Sequence, residues 1–532
     1  MTTAAAPRRR GARLGLDRFE AVVLIALFAL SMAILTGLVV RTLTKGGVIT
    51  GSDGFLVVDQ MQYLGWLRQA GEHGLIENLY DLESGDRTFL HPGLLISGVL
   101  HRLGLGLVVS YAIWKPIAVA SLFAGVLLFT RRFLDRRDDR RFALVLALFA
   151  ASPVTALVGW SGVVGGFNRY QLDFLGNEMW SGTWLWGYMY TAVAVAMIPL
   201  ALVAYERARA GGSGRMLLAT AGAGAICSWF QPWQGATLLL VLVVAEALAS
   251  RRERRTMLAA ARDLALPVAA VLAPLAYYFV LSKVDPAWEL AGTANDDFPG
   301  WPWWVMALGL APFAPAALAY RLPAPRFGDL ALRAWPFAAL AVYFQPGGTF
   351  PFHSFQGLAI PLVILGVLGL RATLLRDRPL PLVPAAVVVA FFVLPGTAYN
   401  ADHMLDAINK GFQAHFMEPE EHDALRHLDE EPEPGGVLAP AYLGTAIPAY
   451  AGREIWVGAG SWTPDFGTRN QQADDLFNGK LSVAQGEALV RRSGARFLFS
   501  DCHGRPDLTR RFAGFTEAPR RFGCATIWRV RP

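Results

Sequence analysis

Long apolar runs separated by shorter polar stretches set the rhythm of this chain. They lie at roughly 19–40, 106–129, 142–160, 184–204, 216–230, 234–250, 263–282, 302–320, 334–345, 357–370 and 380–399. A helix rises about 1.5 Å per residue, so about 20 apolar residues cross a hydrocarbon core of about 30 Å. The pattern predicts an α-helical polytopic membrane protein with about eleven transmembrane helices. The run at 334–345 is short, and the runs that meet at Phe230-Gln231-Pro232-Trp233 read equally as two short helices. The first run is too long for a signal-peptide core, and no small-residue cleavage site follows it.

After residue 400 the rhythm changes. Charged stretches return, short apolar runs at 437–439, 454–457, 496–500 and 525–530 read as strands, and 441–450, 470–478 and 482–493 read as helices between them. Three regions result: a basic N-terminus at 1–18, a transmembrane domain at 19–400 and a small α/β domain at 401–532.

Composition agrees with this pattern. Of 532 residues, 54% are hydrophobic and 17% charged, against about 45–50% and about 25% in soluble domains. That excludes an ordinary cytosolic enzyme, a disordered chain and a disulfide-framework secreted domain. Five lysines among 48 basic residues, with abundant Ala and Gly, suggest a GC-rich bacterial genome. Cys227 lies in an apolar run and reads as a packing residue, while Cys502 and Cys524 sit about twenty residues apart in the last domain, a spacing that permits a disulfide without demanding one.

The net charge of +6 matters less than its distribution. Loops on the side of the N-terminus carry 25 arginines, among them Arg131, Arg132, Arg209, Arg255 and Arg371, against seven basic residues on the other side. The positive-inside rule then places the N-terminus in the cytoplasm and, after eleven spans, the C-terminal domain outside it, in a multi-pass cell-membrane protein. The arginine-rich loops suit anchoring to anionic lipid. The opposite loops are longer and aromatic, at 43–105, 162–183, 285–301 and 346–356. Function is expected there.

In the first of these loops Met61, Leu64, Leu67 and Ala70 recur at three-residue steps, with Gln60, Gln62 and Arg68 off the stripe. This predicts an amphipathic helix lying in the membrane surface, with Asp59 in its first turn. A carboxylate at the bilayer edge suits a general base, although the same position also suits an N-terminal cap. Asp53, within Gly51-Ser52-Asp53-Gly54, reads as a turn residue. His91-Pro92 opens a second apolar helix that runs to about Leu103.

A first span entering from the cytoplasm, then a long outer loop with Asp59-Gln60-Met61-Gln62-Tyr63 and His91-Pro92, resembles the GT-C class of membrane glycosyltransferases. That class includes protein O-mannosyltransferases, aminoarabinose transferases and the mannosyl- and arabinosyltransferases of actinobacterial envelopes. The resemblance covers roughly residues 19–532. It implies a GT-C-like fold with an extracytoplasmic C-terminal α/β domain, and a polyprenyl-phosphate-linked sugar as donor. It also implies Asp59 as catalytic base, and places Tyr63, His91 and Asp53 at the substrate. Many relatives carry two adjacent acidic residues where this chain has Asp59 and Gln60, which weakens a metal-binding version of the site. No cofactor is required on this reading, and a divalent metal stays open.

The class often places a base before the tenth span. Here that stretch, 345–357, holds His353 as its one ionisable side chain, a candidate for the donor phosphate. Arg169 in the second outer loop and Lys115 within the second span are the other phosphate candidates. A lysine in hydrocarbon is costly and is expected to snorkel, pair or face a polar cavity. Glu178 or Asp173 is expected to orient an acceptor, and Gln231 with Gln234 to line the same cavity. The tryptophans and tyrosines from Trp180 to Tyr190 suit sugar stacking and an interfacial belt alike.

The reading favoured by these features is transfer of a sugar from polyprenyl phosphate to a glycan, lipid or protein acceptor outside the cytoplasm, with inversion. The lipid bilayer is a partner and nucleic acid is not. No nucleotide-binding fingerprint follows a strand. The alternatives are a lipid or solute transporter or flippase, which predicts internal repeats and mid-bilayer charges, and a non-catalytic GT-C-like protein that binds glycan.

Overall fold

The computed structural model describes residues 15–532 except 55–56, 84, 155, 157–159, 161–177, 212, 296–299, 346–349 and 411–413. Helices form at every apolar run named above. In chain order they are α1 (Arg18–Thr44), then α2 (Val57–His73) and α3 (Pro92–Arg102) in the first outer loop. Next come α4 (Leu107–Ala112), α5 (Trp114–Phe133), α6 (Arg137–Phe149), α7 (Met189–Gly211), α8 (Gly214–Phe230) and α9 (Pro232–Glu253). The membrane part closes with α10 (Met257–Val284), α11 (Pro286–Thr293), α12 (Trp303–Leu310), α13 (Pro315–Ala319), α14 (Phe327–Tyr343), α15 (Ala359–Leu370) and α16 (Leu382–Lys410).

Six of these stretches are long and apolar enough to cross a bilayer: Arg18–Thr44, Leu107–Phe133, Met189–Gly211, Pro232–Glu253, Met257–Val284 and Leu382–Asp406. The others are shorter for local reasons. Pro232 lacks the N–H that would continue α8, so α8 stops at Phe230 and α9 begins with the proline at its first turn. A 3₁₀ turn at Ala311–Phe313 interrupts the segment between α12 and α13.

Several arginines of the short loops pair within the chain. Arg131 clasps Glu20, Arg132 grips Glu206 at 2.5 Å, and Arg371 grips Asp139 at 2.5 Å. Arg209 and Arg255 share the fully buried Glu246, at 2.7 and 3.0 Å. Each pair ties two separate stretches of the chain together at that end of the bundle, and planar guanidinium forks suit such bonds.

Helix α2 is more enclosed than an amphipathic stripe alone suggests. Gln60, Met61, Gln62, Leu64, Gly65, Trp66, Leu67, Gln69, Ala70 and Gly71 are all buried, so other parts of the protein cover most of this helix. One side packs on α3, where Gly71 meets the Gly98 backbone so closely that a Cβ on either glycine would overlap it. The other side meets the C-terminal unit, with Gly65 against Pro448. Of the buried glutamines, Gln69 donates to the Glu77 carbonyl and accepts from the Glu77 N–H, at 3.1 and 3.0 Å. Among the two loop helices it is α3 that shows an apolar face outward, through Ile96, Val99 and Leu103.

The C-terminal unit is an α/β layer. A four-stranded sheet runs in the order Val437–Leu438, Phe497–Ser500, Ala525–Arg529, Arg520–Phe522, with the first pair parallel and the others antiparallel. Ile455 adds a single parallel bridge beside Val437. The strand at 520–522 and the helix Pro419–Glu430 were not expected from the pattern; the latter carries too few apolar residues over a short, highly charged stretch. Cys502 and Cys524 form a disulfide that pins the end of one strand to the turn before another. A two-residue strand, Val48–Ile49, pairs antiparallel with Phe416–Met417, and Arg469 bonds Asp81 at 2.8 Å, so the first outer loop and the C-terminal unit form one body.

Candidate active site

Asp59 stands in the first turn of α2, half-buried. One of its carboxylate oxygens accepts a 2.7 Å hydrogen bond from the Tyr188 hydroxyl. Tyr188 comes from the segment that leads into α7, 129 residues further along the chain. Tyr63 lies one helical turn beyond Asp59, on the same face. Its ring centroid is 6.2 Å from Tyr111, 6.4 Å from Tyr188 and 6.2 Å from Tyr190. Burial, reinforced by the Asp59 charge, pushes the Tyr63 and Tyr188 phenols far above the usual tyrosine range. Both therefore keep their protons, and Tyr188 stays a donor to Asp59.

His91 caps α3: its Nδ1 accepts from the Leu94 N–H at 3.2 Å. The ring stacks on Phe230 at 5.2 Å and meets Tyr190 at 4.8 Å. Burial pushes its pKa down to about 3, so it is neutral and suited to capping. The substrate position expected for His91 becomes a role in building the wall behind Tyr63 and Tyr190.

A second polar group forms around the 351–355 turn. Glu178 lies 3.4 Å from His353 Nδ1, and Gln356 Nε2 lies 2.9 Å from the same nitrogen. Gln231 donates to the Gln356 side-chain carbonyl at 2.7 Å, and Gln234 donates to the His353 backbone carbonyl at 2.7 Å. Burial raises the Glu178 pKa against the opposing pull of His353 and Gln356. Trp233 meets the His353 ring edge-on at 4.9 Å, and Phe350 stacks on it at 5.3 Å. Thus His353, Glu178 and Gln231, drawn from three separate stretches of sequence, come together. The chain Tyr63–Tyr190–His91–Phe230, followed by Gln231, makes a continuous wall from Asp59 to this group.

Of the fates open to a lysine in hydrocarbon, Lys115 takes pairing, and its ammonium is turned to protein groups and not toward a donor phosphate. Its ammonium lies 2.5 Å from the Asp53 carboxylate, 2.7 Å from the Ser31 carbonyl and 2.9 Å from the Leu185 carbonyl. The two carbonyls accept hydrogen bonds from the ammonium, and the Asp53 carboxylate faces it as an ion pair. Asp53 is likewise no exposed turn residue, being only 3% exposed. Arg169 and Asp173 lie outside the described residues.

Among the described residues, His, Cys, Asp and Glu converge in threes only at Glu420, Cys502 and Cys524. Those two cysteines are joined to each other, so the group has no thiolates to offer an ion. The described residues around Asp59 do not supply a divalent-metal ligand set, and no step below runs through one.

Sequence reasoning missed the pairing of Tyr188 with Asp59 and the part played by Gln356. Tyr188 sat in an aromatic run that suits any membrane interface, and Gln356 carries no charge to single it out. Trp462 from the C-terminal unit wedges edge-on against Trp66 and Trp288 at 5.2 and 5.4 Å.

No family model and no curated protein matches the sequence. Solved structures do match in shape. The archaeal oligosaccharyltransferase AglB from Archaeoglobus fulgidus, in complex with an inhibitory peptide and a dolichol-phosphate, superposes with a TM-score of 0.50 at 13% identity. The match covers 91% of this chain and 69% of that one. The arabinofuranosyltransferase AftD from Mycobacteria gives 0.56 at 15% identity over 97% of this chain and 42% of that one. A looser likeness, at 0.45 and 14% identity over 96% and 98%, is to ArnT from Cupriavidus metallidurans. These neighbours are GT-C glycosyltransferases. The chain has the GT-C fold: a polytopic helical membrane protein with helices built into the long loop after its first span.

Proposed function

We propose that this chain is a membrane glycosyltransferase that moves a sugar from a polyprenyl phosphate to a hydroxyl of a glycan, lipid or protein acceptor. The observation that carries the reading is the Asp59–Tyr188 pair at the head of the first outer-loop helix, within a GT-C fold. The dolichol-phosphate bound to the archaeal neighbour supports a lipid-phosphate donor. Asp59 takes the proton from the acceptor hydroxyl. The freed oxygen attacks the anomeric carbon, forming the new glycosidic bond. The bond from that carbon to the phosphate oxygen breaks, and its electron pair leaves on the polyprenyl phosphate. A single displacement inverts the anomeric centre. His353, its Nδ1 accepting from the Gln356 amide, turns Nε2–H to the leaving phosphate and stabilises its charge.

The orientation that suits this chemistry puts the outer loops and the C-terminal unit outside the cytoplasm. The arginine bias supports it, as does the Cys502–Cys524 bond, since disulfides persist in oxidising compartments.

The test uses the purified full chain in lipid nanodiscs with a panel of synthetic undecaprenyl-phosphate pentoses and hexoses, following release of undecaprenyl phosphate. Wild type is expected to turn over at least one donor, and Asp59→Asn to lose about 10³-fold in kcat, within the range of general-base catalysis. Turnover by Asp59→Asn at the wild-type rate overturns the base. Movement of lipid across vesicles with no sugar transferred overturns the enzyme reading.

A further inference from the structure

The buried pair Asp53–Lys115 lies outside the reaction described above, yet it joins the two strips of chain that carry Asp59 and Tyr188. We infer that Lys115, through Asp53, is a positioning residue that holds Asp59 opposite Tyr188. The inference rests on the reading of Asp59 as the base.

Four observations carry it. First, Lys115 binds three segments at once: Ser31 in α1, Leu185 three residues before Tyr188, and Asp53 six residues before Asp59. Second, the Asp53 N–H donates to the side-chain carbonyl of Gln60, the residue next to Asp59. The ion pair is therefore one hydrogen bond removed from the first turn of α2. Third, Gly187 closes the joint from the other side. Its φ of +101° is a left-handed value that favours glycine, and a Cβ there would overlap the Gln60 amide and press on the Asp53 carbonyl. Gly187 is the residue before Tyr188. Fourth, Trp186 donates to the Leu30 carbonyl at 3.2 Å, so the 185–188 strip is also tied to α1.

The physical logic is that of a buried ion pair used for placement. Two charges removed from water gain little net stability together, but either one left alone is costly. The pair therefore has one geometry that tolerates it, and that geometry sets the two strips in register. An aromatic surface at this point would slide; an ammonium fixed by two carbonyls and a carboxylate does not. Proximity of this kind matters because misplacing a base by about 1 Å can cost about 10²-fold in rate.

The test is a double-mutant cycle on the full chain in nanodiscs, with the best undecaprenyl-phosphate sugar of the panel as donor. Lys115→Met and Asp53→Asn each strand one buried charge and are expected to lower kcat at least 100-fold. Donor KM is expected to stay within about 3-fold. Asp53→Asn/Lys115→Met removes both charges and is expected to recover at least 10-fold over either single variant. A phosphate-binding Lys115 behaves differently: donor KM rises, and the second substitution rescues nothing. Either of those results overturns the positioning role. Because the single variants can fail to fold, Gly187→Ala and Lys115→Arg serve as milder probes, each expected to lower kcat about 10-fold at unchanged donor KM. Wild-type kcat in both overturns the proposal.

An arm independent of turnover separates this inference from the functional reading. Hydrogen exchange over 57–62 and 185–190 is expected to rise together in Lys115→Arg relative to wild type. If the two strips loosen together while wild type transfers no sugar, the joint stands and the glycosyltransferase reading falls. If wild type transfers sugar and Lys115→Arg leaves both strips protected, the joint falls and the reading stands.

Discussion

At the scale of single residues, the site depends on groups held in one protonation state. Tyr188 keeps its proton because it is buried beside Asp59, so it stays the donor in its bond to the carboxylate. A hydrogen bond to a charged group is worth about 1.5–3 kcal/mol. Tyr188→Phe is therefore expected to lower kcat about 10- to 100-fold with donor KM unchanged, measured by undecaprenyl phosphate release. His91 and His415 are held neutral by burial, at about 3 and about 4. The unfolded chain takes up a proton at each near pH 6.5, and the folded chain does not. Folded stability from these groups is thus fully present above about pH 6.5 and falls as pH drops toward 4. His91→Asn keeps a cap for α3 and removes one such group. Its melting temperature, followed from pH 7 to pH 4.5, is expected to fall less steeply than that of wild type.

At the scale of elements, α2 is the part that joins the membrane helices to the C-terminal unit. The stripe Met61, Leu64, Leu67 and Ala70 was enough to foretell a helix, and it formed. It was not enough to foretell which faces are covered, because Gln60, Gln62 and Gln69 are buried by neighbours distant in sequence. The crossing of α2 and α3 at Gly71 and Gly98 has no room for a methyl group. Gly71→Ala is expected to destabilise the protein by about 1–3 kcal/mol, as overpacking does. Gly37→Ala, where a Cβ meets nothing within 4 Å, is the matched control. Thermal unfolding in detergent compares them.

At the scale of the whole molecule, the C-terminal unit is bolted to the first outer loop through a strand pair, the Arg469–Asp81 bond and the Trp66–Trp462–Trp288 wedge. Its cysteines report on topology. In intact cells a membrane-impermeant maleimide is expected to label Cys502 and Cys524 only after external reduction; labelling from the cytoplasmic side alone overturns the proposed orientation. The bond closes a loop across a separation of 22 residues. Reducing it is expected to cost the unit about 3 kcal/mol on the loop-entropy account.

The amino-acid sequence by itself determined where the long apolar helices lie, the change of character after residue 400 and the prominence of Asp59 and His353. Those features are local, since the length of an apolar run and the scarcity of charge around an acid are visible without folding. Only the tertiary structure decided which groups meet. Tyr188 reaches Asp59 across 129 residues, and Glu178 reaches His353 across 175. Lys115 finds Asp53 instead of solvent or phosphate. A buried charge is paired with whatever the packing brings beside it, and that depends on close approach at glycines such as Gly187 and Gly98, which no hydropathy pattern records.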